Sequence, residues 1–491
     1  MKIRKNNQKK RSATLVEAFL PIIVLIILLT CNVYIFDDTL GGANQIALLL
    51  AAAIASVISL RLGLNWGKIR DKIVSTIGSA MPAILILLLI GSLAGTWMLS
   101  GVVPALIYYG LDIINPKMFL FTAVVVCAIV SIATGSSWST IATIGVALIG
   151  IGRALGINEA MCAGAIVSGA YFGDKVSPLS DTTNLAPAMA GTDLFTHVKY
   201  MMYTTVPTMT ITLIIFLIIG FNYDFSGSVG NVENVKVAIG ETFNTSPLLF
   251  LVPAILFTII LLKVPPVPTL FIGVLLGGIF AIIFQPGIIE KVSGVTGNYL
   301  KASYITVMQS MFGDVSITTP DVSVNELLTT TGMRGMLDTV WLILSAMVFG
   351  GVMESAGLLK RITQPITRYA KSTGGLVAST VGTCIFFNAT ASDQYIAIVV
   401  PGRMYRKTFE ERGLKPEVLS RSLEDSGTVT SVLIPWNTGG ATQARVLGVP
   451  TVDYAVYSFF NLISPFMSIL FAYLNIRIRR FTDNKKEEVK A

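Results

Sequence analysis

The sequence predicts an all-α polytopic membrane protein with about ten crossings, built as inverted structural repeats that each carry a re-entrant hairpin and a broken helix. Three observations predict it. Of the 491 residues, 53% are apolar and only 13% charged, against about 25% charged in an ordinary soluble protein. Runs of about 18 or more residues almost free of charge recur, enough to cross a hydrocarbon core roughly 30 Å thick as helix. Three polar landmarks then interrupt those runs twice, in the same order.

The first apolar run, "FLPIIVLIILLTCNVYIF", closes a helix near 15–36. It follows the basic "MKIRKNNQKKR" as a signal peptide would. It is too long for a signal core, however, and lacks a small-residue cleavage site, so it reads as a retained helix. A second helix near 44–62 leads to "RLGLNWGKIRDK", read as a basic cytoplasmic loop, and a third spans 77–99. The net charge of +8 does not indicate nucleic acid, because lysine and arginine sit at segment ends and in short loops, where topology accounts for them. Basic chain ends, "KIRKNNQKKR" and "RIRRFTDNKK", place both termini in the cytoplasm and make the number of crossings even.

The landmarks define the repeats. "GTWMLSGVVPALI" (95–107) matches "GGVMESAGLLKRI" (350–362), each closing an apolar helix. Next come the polar knots "TGSSWSTIA" and "NATASDQYIA", and then the polar breaks "FGDKVSPLSDTTN" and "LEDSGTVTSVLIPWNTGG", each with a proline. The expected organisation is 1–75, a tail and two helices; 76–222, repeat one; 223–334, linking helices near 247–263 and 267–285 with external loops; 335–478, repeat two; and 479–491, a cytoplasmic tail.

Equivalent loops differ in charge. After its first helix, repeat one carries only Lys117, whereas repeat two carries Lys360, Arg361, Arg368 and Lys371. After the knot, repeat one has Arg153 alone, whereas repeat two has Arg403, Arg406, Lys407, Arg412 and Lys415. Bases mark the cytoplasmic side, so the repeats are oppositely oriented, as in many secondary transporters. Residues 118–152 must then enter and return on one side as a hairpin with "TGSSWST" at its tip. In repeat two the return from the knot to Arg403 is about ten residues, or roughly 15 Å of helix. The two tips are expected near the midplane, with 159–192 and 418–445 crossing as interrupted helices.

Charge at that depth has to be useful. A carboxylate at the bilayer centre costs about 2.5–3.5 kcal/mol, so Asp174, Asp181, Asp393, Glu424 and Asp425 must face protein or a wet cavity. Broken helices add carbonyl ends that suit a cation and amide ends that suit an anion. Around them lie Ser137, Ser177, Thr182, Asn184, Asn388, Ser392, Thr428 and Asn437, together with Ser431 and Thr438. Oxygen donors without histidine or cysteine favour an alkali or alkaline-earth ion. A carboxylate shielded from water takes up a proton or a cation in competition, which is a minimal mechanism for antiport. The competing explanation is that these acids pair with Lys175 and Arg421 to hold the bundle together, Asp174 most of all.

Other motifs carry less. His197, the only histidine, is expected to play a structural role at the cytoplasmic face. "GIGRALG" echoes a nucleotide loop but follows no strand, so it reads as helix packing. Glu354 is a weak candidate for the ion path. "GSSWS" is not a nucleophile elbow. Cys31, Cys127, Cys162 and Cys384 lack metal or disulfide spacing. The chain is not expected to be an enzyme, and no cofactor is indicated.

"GAYFGDKVSPLSDTTNLAPAMAGTDLFTH", "NATASDQY" and "SRSLEDSGTVTSVLIPWNTGGA" closely resemble the NhaC family of sodium/proton antiporters, within the broader ion transporter superfamily. The resemblance runs from about residue 75 to 475. It implies a bacterial or archaeal inner-membrane protein exchanging cytoplasmic Na+ for H+, with two hairpins, two broken helices and often a homodimer. By motif, it assigns the site to Asp174, Ser177, Asp181, Thr182 and Asn184 with Asn388, Ser392, Asp393, Asp425, Thr428 and Asn437. The same family includes a proton-malate/sodium-lactate exchanger, so an organic-anion antiporter stands as the alternative. A channel would need a continuous pore in place of two symmetric half-gates.

Overall fold

The computed structural model describes residues 11–36, 41–113, 115–223, 228–262, 264–319, 325, 328–362 and 372–481. They are almost wholly helical, with one two-residue strand pair, Val315–Ser316 against Thr329–Thr330. The N-terminal residues 1–10, the tail 482–491 and the loop bases Arg368 and Lys371 lie outside the described residues. Among those described, eight helices are long and apolar enough to cross a membrane, or up to nine if a bent pair, Val232–Thr242 with Pro247–Leu261, counts as one span. The chain is a multi-pass all-α membrane protein. Neither interrupted helix is among these spans: the first has the length in its piece Glu159–Val176, at 18 residues, but carries Glu159, Asp174 and Lys175, and the second is cut into short pieces.

The first helices are α1 (Leu15–Ile35), α2 (Ala43–Arg61), α3 (Trp66–Leu99) and α4 (Val102–Ile113). The expected basic loop at 61–72 is mostly helix. The Asn65 side chain accepts the Lys68 N–H at 2.9 Å and caps the start, so Lys68, Arg70 and Lys72 ride the first turns of α3. There Lys72 meets Glu354 at 2.6 Å, both partly exposed, which gives Glu354 a surface ion pair.

A helical hairpin follows: α5 (Phe119–Thr134), then a return arm of the short turn α6 (Ser137–Thr140), a π turn (Ile141–Gly145) and α7 (Val146–Ala154). Phe119 lies against Gly152, joining the open ends of the two arms. The "GIGRALG" glycines therefore serve packing, Gly150 meeting Ile107 and Gly152 meeting Phe119 and Cys162. The broken helix is α8 (Glu159–Val176) and α9 (Asp181–Ala190), followed by α10 (Leu194–Asn222). His197 lies within α10 and is fully buried, so it does not sit at an aqueous face. The linking helices are α11 (Ser228–Thr242), α12 (Leu251–Leu261), α13 (Pro266–Phe284), α14 (Pro286–Ser293) and α15 (Tyr299–Phe312).

The second series comprises α16 (Leu337–Ser355), a hairpin of α17 (Thr373–Thr390) and α18 (Gln394–Glu411), then α19 (Pro416–Leu423), a π turn (Glu424–Thr428), α20 (Thr438–Leu447), α21 (Thr451–Ala455) and α22 (Phe459–Tyr473). Tyr405 ties the hairpin arms together. Its hydroxyl lies 2.8 Å from Thr383 Oγ1 and donates to the Ser379 carbonyl at 3.0 Å. The return arm does not stop near Arg403. It runs 18 residues, roughly 27 Å, because buried Tyr405 and Phe409 continue its packed face. The pairs Arg406–Glu410 and Lys407–Glu411 support its last turns. Each hairpin arm is therefore about as long as the hydrocarbon core is thick, and not half of it.

The two series share a register. A shift of 257 positions (438 less 181) carries the start of α9 to that of α20 and its end to Leu447. The same shift takes the end of α7 to that of α18, and the start of α8 to that of α19. Left-handed glycines follow suit, Gly156 with Gly413 and Gly191 with Gly448. By contact the described residues form two compact units, one from within 1–81, 338–441 and 468–481, the other from within 82–337 and 442–467. One hairpin–break pair lies in each.

Candidate ion-binding half-sites

In the unit holding the first series, α5 and α8 lie in close contact because α8 presents Gly169 and Gly173. A Cβ at either would collide with the carbonyl of Val124 or Ala128. Ser131 Oγ donates to the Ala170 carbonyl at 2.6 Å across the same seam. The hairpin turns at Gly135, which takes the left-handed conformation (φ +67°) and abuts Leu179 of the break. Ser136 then caps the return arm, its Oγ accepting from the Ser139 N–H.

That turn aims Ser137 at the end of α8. Ser137 Oγ donates to Asp174 Oδ2 at 2.6 Å, with both residues buried. The bond is short, as expected for a hydroxyl on a carboxylate. α8 ends two residues later, at Val176. Ser177 Oγ donates to the Ile132 carbonyl at 2.8 Å and accepts from the Leu179 N–H, fixing the break to α5. Thr183 Oγ1 donates to the freed carbonyls of Asp174 and Lys175 at 3.1 and 3.0 Å. Asn184 Nδ2 donates to the Pro178 and Ser180 carbonyls at 2.9 and 2.7 Å. Ser180 and Thr182 hydroxyls lie 3.1 Å apart.

Asp181 opens α9 and is exposed, as is Asn184. A carboxylate suits that helix N-terminus on dipole grounds alone. Lys175 is fully buried; its Nζ donates to Ser464 Oγ at 3.0 Å and lies 5.4 Å from the Phe460 ring centroid. Asp174 is thus held by a hydroxyl, and its basic neighbour has partners on α22.

In the other unit, the second hairpin turns at buried Ser392, left-handed at φ +58°. Asp393 then caps α18, its carboxylate accepting from the Ile396 N–H at 2.9 Å. Asn388 Nδ2 donates to the Gly427 carbonyl at 2.7 Å and to Thr430 Oγ1 at 3.0 Å. Asn437 Nδ2 returns the tie to the Asn388 carbonyl at 2.9 Å, and its Oδ1 accepts from the Gly439 N–H. Trp436 Nε1 donates to the Ala389 carbonyl at 2.7 Å, and the Thr438 N–H to the Ser392 carbonyl at 3.0 Å. Ser431 Oγ donates to Gln394 Oε1 at 3.2 Å.

Glu424 and Asp425 sit in the π turn, fully buried, as is Arg421. Ser392 Oγ and Thr428 Oγ1 are buried without a hydrogen-bond partner among the described residues. Such orphaned hydroxyls are costly and are suited to an ion that brings its own charge.

The structure therefore gathers Ser137, Asp174, Ser177 and Thr182 in one unit, with Asp181 beside them at an exposed helix start. In the other it gathers Asn388, Ser392, Asp393, Asp425, Thr428 and Asn437. Asn184, Asn388 and Asn437 spend their amides largely on backbone carbonyls, which fixes the breaks. Sequence reasoning passed over Ser131 and Gln394, which are neutral residues among many; only their position relative to the knot distinguishes them.

A model of the Na+/H+ antiporter family matches residues 10–170 and 169–476. The chain is 38% identical to the Na(+)/H(+) antiporter NhaC of Alkalihalophilus pseudofirmus, covering 88% of this sequence and 91% of that one. It is 36% identical to the malate-2H(+)/Na(+)-lactate antiporter of Bacillus subtilis, covering 87% and 89%. It is 32% identical to the arginine/ornithine antiporter ArcD of Halobacterium salinarum, covering 93% and 91%.

Proposed function

The chain belongs to the Na+/H+ antiporter family, and from that premise we propose that it extrudes cytoplasmic Na+ in exchange for external H+, with Asp174 as the group for which the two compete. The observation that carries this reading is the Ser137–Asp174 contact, in which the rotatable Ser137 hydroxyl donates to a buried carboxylate at a helix break. A serine hydroxyl both donates and accepts. It donates to the charged carboxylate, and it turns a lone pair outward when a sodium ion or a proton takes the negative charge.

Exchange follows from that competition. With sodium on the carboxylate the half-site faces one solution; released there, the acid takes a proton and returns neutral. Asp393 and Asp425, with the orphaned hydroxyls of Ser392 and Thr428, form the corresponding assembly of the second repeat. Asp181 is assigned to the approach, since it is exposed. Opposite orientation of the repeats, supported by the loop charges, supplies alternating access. In this reading the protein lies in a bacterial or archaeal inner membrane with cytoplasmic termini, and functions as a homodimer.

The test is reconstitution in liposomes with an internal pH dye. Sodium gradients alone, without any organic acid, are expected to drive proton flux, and Asp174→Asn to abolish it. Flux that requires a malate or lactate gradient would instead assign the protein to the organic-anion branch represented by the B. subtilis relative. Full exchange in the Asp174→Asn variant would remove that residue from the mechanism.

A further inference from the structure

The shift of 257 positions pairs chemistry as well as backbone. Ser137 and Asp174, joined across the first hairpin–break contact, correspond to Gln394 and Ser431, joined across the second (394 less 137 and 431 less 174). In both, a buried serine hydroxyl meets an sp² oxygen at the end of a longer side group, at 2.6 Å in the first and at 3.2 Å in the second, where Ser431 Oγ also donates to the Thr428 carbonyl at 2.7 Å. The serine is on the hairpin in the first pair and on the break in the second. The bracing corresponds as well. Ser131 Oγ bonds the Ala170 carbonyl at 2.6 Å, and Asn388 Nδ2 bonds the Gly427 carbonyl at 2.7 Å. The carbonyls of Ile132 and Ala389, likewise equivalent, each accept a bond from the adjacent break.

At three equivalent pairs on this common frame an acid in one repeat corresponds to a serine in the other. Asp174 stands opposite Ser431, Asp393 opposite Ser136, and Asp425 opposite Ser168. Each pair of equivalent positions holds one acid and one serine. Beyond the greater length of the second contact, what separates the two is ionisability: the group facing the serine is a carboxylate at 174 and an amide at 394. An amide presents the same oxygen to its serine but neither carries charge nor takes up a proton at any physiological pH.

We propose that Gln394 is the neutral counterpart of Asp174 and a specificity-determining residue for proton coupling. Its amide keeps the second serine contact from carrying a proton, so that only the first serine–acid pair titrates during the cycle. This rests on the assignment of Asp174 made above. It goes further in naming a residue that sets the number of protons exchanged, at a position whose own chemistry gave no sign of it. Gln394→Glu preserves size and the acceptor oxygen, and converts the second contact into a serine–acid pair like the first.

The experiment compares wild type, Gln394→Glu and Gln394→Leu in proteoliposomes, using opposing sodium and pH gradients at clamped potential to find the zero-flux point. Gln394→Glu is expected to raise the H+/Na+ ratio by one proton per cycle and to add a second titration to the pH profile of sodium-dependent flux. Gln394→Leu should weaken sodium affinity while leaving ratio and profile shape unchanged. If Gln394→Glu yields too little folded protein, Ser431→Asp places the carboxylate on the other member of the pair and carries the same expectation. A ratio and profile equal to wild type in the folded acidic variant overturn the proposal. Asp174→Asn run in parallel separates the two claims: its full activity overturns the role of Asp174, whereas its inactivity beside a wild-type ratio in Gln394→Glu overturns only the inference about Gln394.

Discussion

A carboxylate that binds sodium at one stage of a cycle and a proton at another needs a neighbour compatible with both forms. Ser137 supplies one at 2.6 Å from Asp174. A hydrogen bond to a charged group contributes about 1.5–3 kcal/mol, so Ser137→Ala should weaken sodium affinity roughly tenfold to a hundredfold, read as a rise in KM for sodium-driven flux. If proton and sodium compete for Asp174, as proposed, the apparent KM for sodium should also climb as the pH on the sodium side falls, and a KM flat with pH would exclude direct competition. At this scale the sequence was partly legible. Charge in an apolar run marked Asp174 and Asp425 as groups that must be shielded from lipid, and both are buried at helix interruptions. The exposure of Asp181 and the structural employment of Asn184 on two loop carbonyls were not legible, since a motif gives residue types without directions.

At the scale of elements, the half-sites depend on how closely the hairpin lies against the interrupted helix. The backbones of α5 and α8 approach through Gly169 and Gly173, and Ser131 closes the seam with a hydrogen bond. Gly173→Ala drives a methyl group into the Ala128 carbonyl, and overpacking of that kind costs about 1–3 kcal/mol. Thermal unfolding in detergent should show the loss, together with slower transport from a displaced Ser137. A second strap ties the opposite end of the other hairpin. The Lys415 N–H bonds the Arg479 carbonyl, the Phe481 N–H bonds the Gly413 carbonyl, and Arg479 meets buried Glu417 at 3.2 Å. Arg479→Ala leaves that carboxylate without this partner and should lower stability by on the order of 2 kcal/mol, with Arg479→Lys restoring part of it. Breaks at proline and acid were predictable. The π turn that carries Glu424 and Asp425 was not, because an extra residue per turn leaves no mark in apolar periodicity. The reach of α18 was misjudged for a related reason: bases at 403–407 read as loop, whereas buried Tyr405 and Phe409 keep the segment helical.

At the scale of the molecule, repetition and inversion rest on different evidence. Repetition is supported by boundaries that keep one register from the hairpins to Gly191 and Gly448. Identical residues at equivalent positions are sparse, Cys127 with Cys384 and Pro178 with Pro435 among them, so the landmark order was the part visible in sequence. Inversion rests on charge. The last turn of the first return arm holds Arg153, paired to Glu159 at 2.8 Å, while the end of its counterpart carries Arg403, Arg406, Lys407 and Arg412. A bias of that size orients segments during insertion. If the repeats are inverted, Glu159 and Glu411, both exposed beside equivalent loops, face opposite solutions. In a Cys31→Ser background, which removes the one exposed native thiol, single cysteines at 159 and 411 should then react with an impermeant maleimide from opposite sides of sealed vesicles. Labelling of both from one side would make the repeats parallel, and a parallel pair has no means of presenting matched half-sites to the two solutions in turn, so the alternating-access account would fall with it.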